Sequence, residues 1–457
     1  MGLFEGRELE DEFCGIVSEL GGDVEGRRKG DQYLLGTHAL YHGGPASWAL
    51  SPKIFDRGQV EVLRDAAETM GAIMNKVTAH YLKDAGFRTL FHLPKSLEDL
   101  TLIPSGYDCL IPLARVDVFF DEETGDYQFC ELNTDGSAGM TNTVEITRAI
   151  QRTASYQRFA ERHPRISTFD VVQGAIGAVL ETYASWEGAG KGVHPAQGPS
   201  MALVDYAESV SADEVDDIID RLDARGIHAR FTDIRDLKMR PVDGQMCLCD
   251  AEGRIDCVYR RAVTGEIADK PCDGVEALAE AARQGLVCVV GGFATWPCAT
   301  KTVFAVLCSD AVKDILTPEE LEFVHAHVPY TVLLDPSSDL APYAEKDRWI
   351  VKPAGGYNAQ GVRAGLDCTE EEWREALELT ARTGGVVQEY ARQYRTPVVQ
   401  GNAPAEGEDP LEFRQASNME GLYLFRGKFG GVFTRCGYQN VIGEWTHRIN
   451  MGCIVVR

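Results

Sequence analysis

Two β-rich runs on either side of an acidic turn constrain this chain more than any other feature. Val116-Asp-Val-Phe-Phe120 and Tyr127-Gln-Phe-Cys-Glu-Leu-Asn133 alternate polar and apolar side chains, and Asp121-Glu-Glu-Thr-Gly-Asp126 between them has the composition of a turn. Period-two alternation flanking turn formers predicts a β-hairpin. On that hairpin Arg115 and Asp117 share a face, as do Glu131 and Asn133, so four polar groups converge. Two carboxylates and an amide oxygen are hard donors suited to Mg²⁺, which keeps waters and bridges to nucleotide phosphates. Alternating polar residues are also what a solvated hairpin face shows.

At 457 residues the chain exceeds the size at which one core stops growing, so two or three associated lobes are expected. Its formal net charge of −25 argues against a general nucleic-acid or anionic-membrane surface. Thirteen cysteines fall in no regular framework, and there is neither a signal peptide nor an apolar run of spanning length, which points to a reducing, cytoplasmic protein. Cys247-x-Cys249, with Cys257 nearby, lacks a second ligand pair at zinc-finger spacing and reads as core cysteines.

Along the chain, the apolar spacing of Val60, Leu63, Ala66, Met70, Ile73 and Val77 predicts one long helix, and helices are also expected over Thr141 to Arg162 and Phe169 to Ala184. After a Gly- and Pro-containing stretch at 187–199, the strand Met201 to Asp205 leads to Ser211-Ala-Asp-Glu214. That tetrapeptide has the form of a capping box opening a helix. With strands at Ile227 to Ile234 and Ile255 to Tyr259, this segment reads as a β-α-β unit of Rossmann-like type. Gly401 to Pro410 is the expected mobile loop, and Glu412 to Arg435 reads as a meander turning at Gly421 and Gly427.

Two lysines suggest phosphate chemistry. Lys352 ends an apolar run and is followed by Gly355, Gly356 and Gly361, whose backbone could approach phosphate oxygens; an edge lysine before an exposed turn fits as well. Lys301 opens the apolar helical pattern 301–307, where it either reaches a phosphate or is a solvated first-turn lysine. Gln388, Glu389 and Tyr390 end a strand that either pairs with an adenine edge or is simply buried. Arg414 and Arg435 are candidates for binding substrate carboxylate or developing phosphate charge, or are surface arginines.

Taken together, these motifs resemble the ATP-grasp ligases, and within them the glutathionylspermidine synthase-like family, with eukaryotic-type glutathione synthetase more distant. Asp117, Glu131 and Asn133 precede Lys301 and Lys352, the order of a circularly permuted branch. The likeness extends to Ile255-Asp-Cys-Val-Tyr-Arg-Arg261 and to Val287 through Phe293. It implies an α/β (α+β) ATP-grasp fold with an inserted Rossmann-like substrate subdomain. The expected lobes are 1–190 with the metal hairpin, 191–295 for the substrate subdomain, 296–385 for the lid, and 386–457 returning to the core.

The implied roles are Mg²⁺ ligation by Asp117, Glu131 and Asn133 and stabilisation of the transferring phosphoryl group by Arg115. ATP would lie against Lys301, Lys352, Gly355 and Gly356, with Gln388, Glu389 and Tyr390 at the adenine. The implied activity is an ADP-forming carboxylate-amine ligase. Its partners would be a small-molecule or peptide carboxylate and an amine such as a polyamine or amino acid, with no nucleic acid and no membrane. The alternative is a nucleotide-binding protein that keeps the fold without turnover.

Overall fold

The computed structural model describes residues 4–41, 43–355, 360–443 and 446–457. Its centre is an extended sheet whose strands run in the spatial order Trp48–Phe55, Ile449–Val456, Lys428–Gly437, Arg414–Phe425, Leu113–Phe120 and Tyr127–Asn133. The first two pair in parallel and the rest antiparallel. The helix Arg57–Lys83, opened by a reciprocal capping box between Asp56 and Gln59, lays Leu63, Ala66, Met70, Ile73 and Val77 on one face, where Val116, Val118 and Leu422 meet them. Helices Met140–Ile150 and Val171–Ser185 lie on the other side of the molecule's core.

The hairpin pairs Arg115 with Asn133 and Asp117 with Glu131, then shifts register so that Val118 faces Phe129. Cys130 is the extra residue of this bulge, which leaves it beside Glu131 on the rim of the cleft described below.

Several local expectations need correction. The stretch 141–162 is not one helix: Thr153 caps a new helix, Ala154–Arg162, accepting from Tyr156 N–H at 3.1 Å, while Asp23 accepts from Ser155 N–H at 2.6 Å. Gly421 makes no turn, because Arg414–Phe425 runs straight through it. A Cβ there would come within 2.7 Å of Arg115 Cδ and 2.9 Å of Asp117 Oδ1, so glycine is what admits the Arg115–Asp117 pair against the neighbouring strand. The 401–410 segment is tied down, with Arg27 donating to the carbonyls of Asn402 and Pro410 and Asp31 accepting from Asn402 and Ala403.

Strands Cys288–Val290, Cys257–Arg260, Met201–Asp205 and Ala229–Asp233 form a second, wholly parallel sheet in that order. Parallel neighbours need long crossovers, supplied in part by the helices Ala212–Asp223 and Asp273–Arg283. The capping box expected at Ser211 does not form, and the Ser211 side chain caps nothing. Glu214 is drawn away by stronger partners: its Oε2 accepts from the N–H groups of Gly139, Met140 and Thr141, and its Oε1 from Arg261 at 2.7 Å.

A third, antiparallel sheet orders Thr331–Leu334, Gly385–Glu389, Trp349–Pro353 and Arg363–Ala364. The helix Glu370–Thr383 covers it through Trp373, Ala376 and Leu377, which pack on Trp349, Val351 and Val387. This small lobe carries Lys352 on its central region and faces the hairpin across a cleft.

Candidate active-site cleft

The three sheets meet around a cleft of about 620 Å³. From the hairpin side Arg115, Glu131 and Asn133 line it, and Arg435 enters from the adjoining strand. Lys301, Lys352, Gly355, Gln388 and Tyr390 line the opposite side. Gly356, also expected at the phosphates, lies outside the described residues.

Asp117 does not line the cleft and is wholly buried. Arg115 grips it with Nε to Oδ1 at 2.7 Å and Nη2 to Oδ2 at 3.1 Å, Arg435 Nη2 donates to Oδ2 at 2.7 Å, and Asn133 Nδ2 donates to the same oxygen at 3.1 Å. Burial pushes this carboxyl up, but the two guanidinium groups outweigh it and hold the pKa down to about 2. Asp117 is therefore an anchor: it fixes two arginines whose guanidinium groups also lie against the Phe433 ring, at 5.5 and 4.9 Å from its centroid. Both of its carboxylate oxygens are thus engaged by donors from three side chains.

Glu131 and Asn133 remain on the cleft surface. Glu131 forms an ion pair with Lys301, which overcomes the burial that would raise its pKa and holds it below the ordinary carboxylate range. Asn133 turns its NH₂ to Asp117, and among the described residues no donor is recorded on its amide oxygen. Among the described residues no three His, Cys, Asp or Glu side chains form a metal-holding cluster. The donor set nonetheless fits Mg²⁺ in the mode in which one carboxylate and one neutral oxygen hold an ion completed by water and phosphate oxygens.

Lys301 stands immediately before the helix Thr302–Leu307, its own N–H bonded to the Ala354 carbonyl at 2.8 Å, which ties it to the glycine-bearing loop. Lys352 is buried and donates to the Cys130 carbonyl at 2.9 Å and to Gln388 Oε1 at 2.6 Å. Burial lowers its pKa. Neither acceptor carries a charge, so the ammonium reaches the cleft without a carboxylate on it, as a site for an anion requires.

Gln388, expected at an adenine edge, instead orients Lys352; its NH₂ is spent on Thr331 Oγ1 at 2.8 Å. Glu389 does not reach the cleft and lies 3.5 Å from Arg348. Tyr390 does line it, with its hydroxyl donating to the Asn440 carbonyl at 3.0 Å. Arg414 is not brought to the site: it is exposed at the start of its strand and stacks on Tyr438, 3.9 Å from the ring centroid.

Residues that the sequence reading gave no role also form the cleft. Asp135 lines it and pairs with Arg260, which is buried outside the lining and further donates to the carbonyls of Gly291 and Ala262, both at 2.6 Å. Glu214 and Arg261 form a second pair, and Asp205 lies near them with a carboxyl that burial raises to about 6, Arg261 opposing the rise. The available signal was the doublet Arg260-Arg261 at the end of an apolar strand, where two adjacent charges have to find buried partners.

No protein-family model matches the sequence, and no curated protein matches it. Among solved structures the chain is similar to a glutathione synthetase-like effector from Globodera pallida in its apo form, at 11% identity and a TM-score of 0.61, over 94% of this chain and 96% of that one. A candidate gamma-glutamylcysteine synthetase from Methylobacillus flagellatus aligns over 85% of this chain and 88% of its own at 12% identity and a TM-score of 0.41. A RimK-domain ATP-grasp protein from Sphaerobacter thermophilus aligns over 56% and 90% at 13% identity and a TM-score of 0.26. The mixed α/β chain thus shares, over nearly its whole length, the fold of a glutathione synthetase-like protein.

Proposed function

We propose that the cleft binds ATP with Mg²⁺ and that the protein is an ADP-forming carboxylate-amine ligase of permuted ATP-grasp type, closest in site chemistry to the glutathionylspermidine synthase-like group. One observation carries the reading: two lysines fifty-one positions apart, Lys301 and Lys352, face Glu131, Asn133, Arg115 and Arg435 across one cleft. The fold likeness to a glutathione synthetase-like protein supports it. In this reading 191–295 is a Rossmann-like substrate subdomain and 296–385 the lobe that closes, between core segments 1–190 and 386–457. The absence, among the described residues, of a helix long and apolar enough to cross a membrane and the thirteen free thiols are compatible with a cytoplasmic setting.

The chemistry follows from charge. A carboxylate attacking the γ-phosphorus meets anion repulsion, so Lys301 and Lys352 neutralise phosphate oxygens while Arg115 and Arg435, pre-oriented by Asp117, meet the transferring phosphoryl group. Glu131 and Asn133 would hold Mg²⁺, which when bound would supply Lewis-acid neutralisation of phosphate charge. The carboxylate oxygen bonds to phosphorus as ADP leaves. An amine then attacks the acyl carbon, phosphate departs with the bonding pair, and the nitrogen loses its proton to give an amide. The carboxylate is a small molecule or peptide and the amine a polyamine or amino acid.

Hydroxylamine tests this, because it replaces the acceptor amine and traps the acyl phosphate as a hydroxamate. With ATP, Mg²⁺ and pools of γ-glutamyl peptides and amino acids, a hydroxamate and stoichiometric ADP are expected. Lys352→Met should abolish both while ATP binding weakens less. Tight ATP binding with no hydroxamate and no ADP across a broad carboxylate panel would establish the non-catalytic nucleotide binder instead.

A further inference from the structure

Away from the cleft, Lys53, Glu10, Glu122 and Glu420 meet in the interior; all four are buried and none lines the cavity. Lys53 lies on the edge strand Trp48–Phe55 and Glu122 follows the strand Leu113–Phe120, with three strands of the central sheet between them. The Gln59 side chain donates to the Glu122 carbonyl at 3.1 Å and fixes where that residue sits. The Lys53 ammonium touches the Glu122 carboxylate and lies 3.4 Å from Glu10 and 4.0 Å from Glu420. Apart from that contact, neither oxygen of Glu122 has a hydrogen-bond partner among the described residues. We propose that Lys53 and Glu122 condense to an intramolecular isopeptide bond, a covalent staple across the central sheet, with Glu420 as the acid–base group that assists the step.

The atoms balance without a co-reactant. The ammonium gives one proton to the Glu122 carboxylate, and the freed Nζ lone pair attacks its Cδ. A carbon–nitrogen bond forms. The Glu420 carboxyl then protonates the departing hydroxyl while its other oxygen takes a second proton from the nitrogen, so the carbon–oxygen bond breaks, one water leaves, and Glu420 returns to its starting form. Burial raises Glu420 to about 7, which supplies the acid form near neutral pH. Glu10 is instead committed to the Ile54 N–H, at 3.2 Å.

Two physical terms drive the step. In water the solvation of both ions opposes condensation, but here the ions are already out of water, and a neutral amide replaces an ion pair whose carboxylate lacks other donors. The fold also holds nitrogen against carboxylate, and such positioning reaches effective concentrations on the order of 10⁵ M or more. The product closes a loop between residues sixty-nine positions apart, restricting the unfolded chain as a disulfide of that span would, yet it resists reductants. The bond is independent of what the cleft binds.

Intact-mass measurement of the denatured, reduced protein reads the bond directly. The wild-type chain is expected to weigh one water less than its sequence. Trypsin should leave Lys53 uncut, with the peptide 30–57 joined to the peptide 116–148, and fragmentation should place the link between Lys53 and Glu122. Full sequence mass, with a free 116–148 peptide and cleavage after Lys53, overturns the proposal. Lys53→Arg keeps the positive charge but removes the primary amine, so full mass should return; a water loss that persists there lies elsewhere in the chain and overturns the bond equally. In chains made by cell-free translation and sampled over time, Glu420→Gln should slow the appearance of the lighter species about a hundredfold. Formation at the wild-type rate would take the acid–base part away from Glu420. The wild-type measurement needs no substitution, so a variant that does not fold leaves the proposal exposed to refutation.

Discussion

Two buried carboxylates on opposite faces of the central sheet, barely one residue pair apart, have opposite fates. Asp117 lies across from Gly421, and Glu420 across from Val118. Both are wholly inaccessible. Asp117 is gripped by Arg115, Arg435 and Asn133 and is held down to about 2. Glu420 shares a single ammonium, Lys53, with Glu10 and Glu122: Lys53 touches Glu122 and lies 3.4 Å from Glu10 and 4.0 Å from Glu420. Neither oxygen of Glu420 has a hydrogen-bond partner among the described residues. Burial raises its carboxyl to about 7, with Lys53 only partly opposing, and burial raises Glu10 as well. The comparison teaches that burial does not set the charge of a carboxylate here; the number of cations committed to it does.

The largest expected effect breaks the well-paired side. Asp117→Ala leaves two buried guanidinium groups without their counter-charge and should cost about 3–5 kcal/mol in denaturant unfolding. Its fold and its activity should therefore fail together. Unchanged stability with lost ADP release would instead make Asp117 a metal ligand.

The second effect sharpens the contrast through pH. Glu420 titrates higher in the fold than in the unfolded chain, so its stabilisation is fully present below about pH 4.5 and is lost as pH rises to about 7. That loss is about 3 kcal/mol at about 1.4 kcal/mol per unit. Asp117 has the opposite sign, its contribution being present above about pH 3.8 and lost as pH falls towards about 2. In unfolding measurements across pH, Glu420→Gln should flatten the limb between pH 4.5 and 7 and leave the acid limb alone. A Glu420→Gln curve parallel to wild type throughout would mean that the fold keeps this carboxyl ionised.

Smaller effects probe the packing between the two. Gly421→Ala places a methyl within 2.7 Å of Arg115 Cδ and should cost about 1–3 kcal/mol, with the arginine displaced. A larger fall in turnover than in stability is the expected outcome, because Arg115 faces the cleft. Least of all, Gln388→Leu removes one acceptor from Lys352 without touching its charge. We expect about a tenfold lower kcat, about 1.4 kcal/mol, with melting temperature little changed. A selective loss of adenine discrimination would instead return Gln388 to the nucleotide base.

Much of the site was legible because its signals are local. The period-two pattern around Asp117 and Glu131 specifies a hairpin and, with it, which side chains share a face; the observed register pairs Arg115 with Asn133 and Asp117 with Glu131. The long helix from Arg57 and the three strands Met201–Asp205, Ala229–Asp233 and Cys257–Arg260 were legible from apolar spacing in the same way. What misled was competition between partners. Ser211 to Glu214 has the spacing of a capping box, yet a buried arginine and three N–H groups from another helix bind Glu214 more strongly than its own helix terminus does. Gly421 has the look of a turn, yet no local rule announces that an arginine from the next strand needs its missing Cβ.

By itself the sequence determined the long first-lobe helix, the strands of the parallel sheet, the hairpin face that carries Arg115, Asp117, Glu131 and Asn133, and the two lysines at the ends of their apolar runs, because these depend on side-chain period and residue type. Only the tertiary structure decided which groups are free to act. It enclosed Asp117 between two arginines, turned Gln388 onto Lys352, sent Arg414 to the surface, and gathered Glu10, Glu122 and Glu420 around one lysine. The physical reason is that a carboxylate's chemistry follows from the charges and donors within a few ångströms of it, and those come from strands and helices hundreds of positions away.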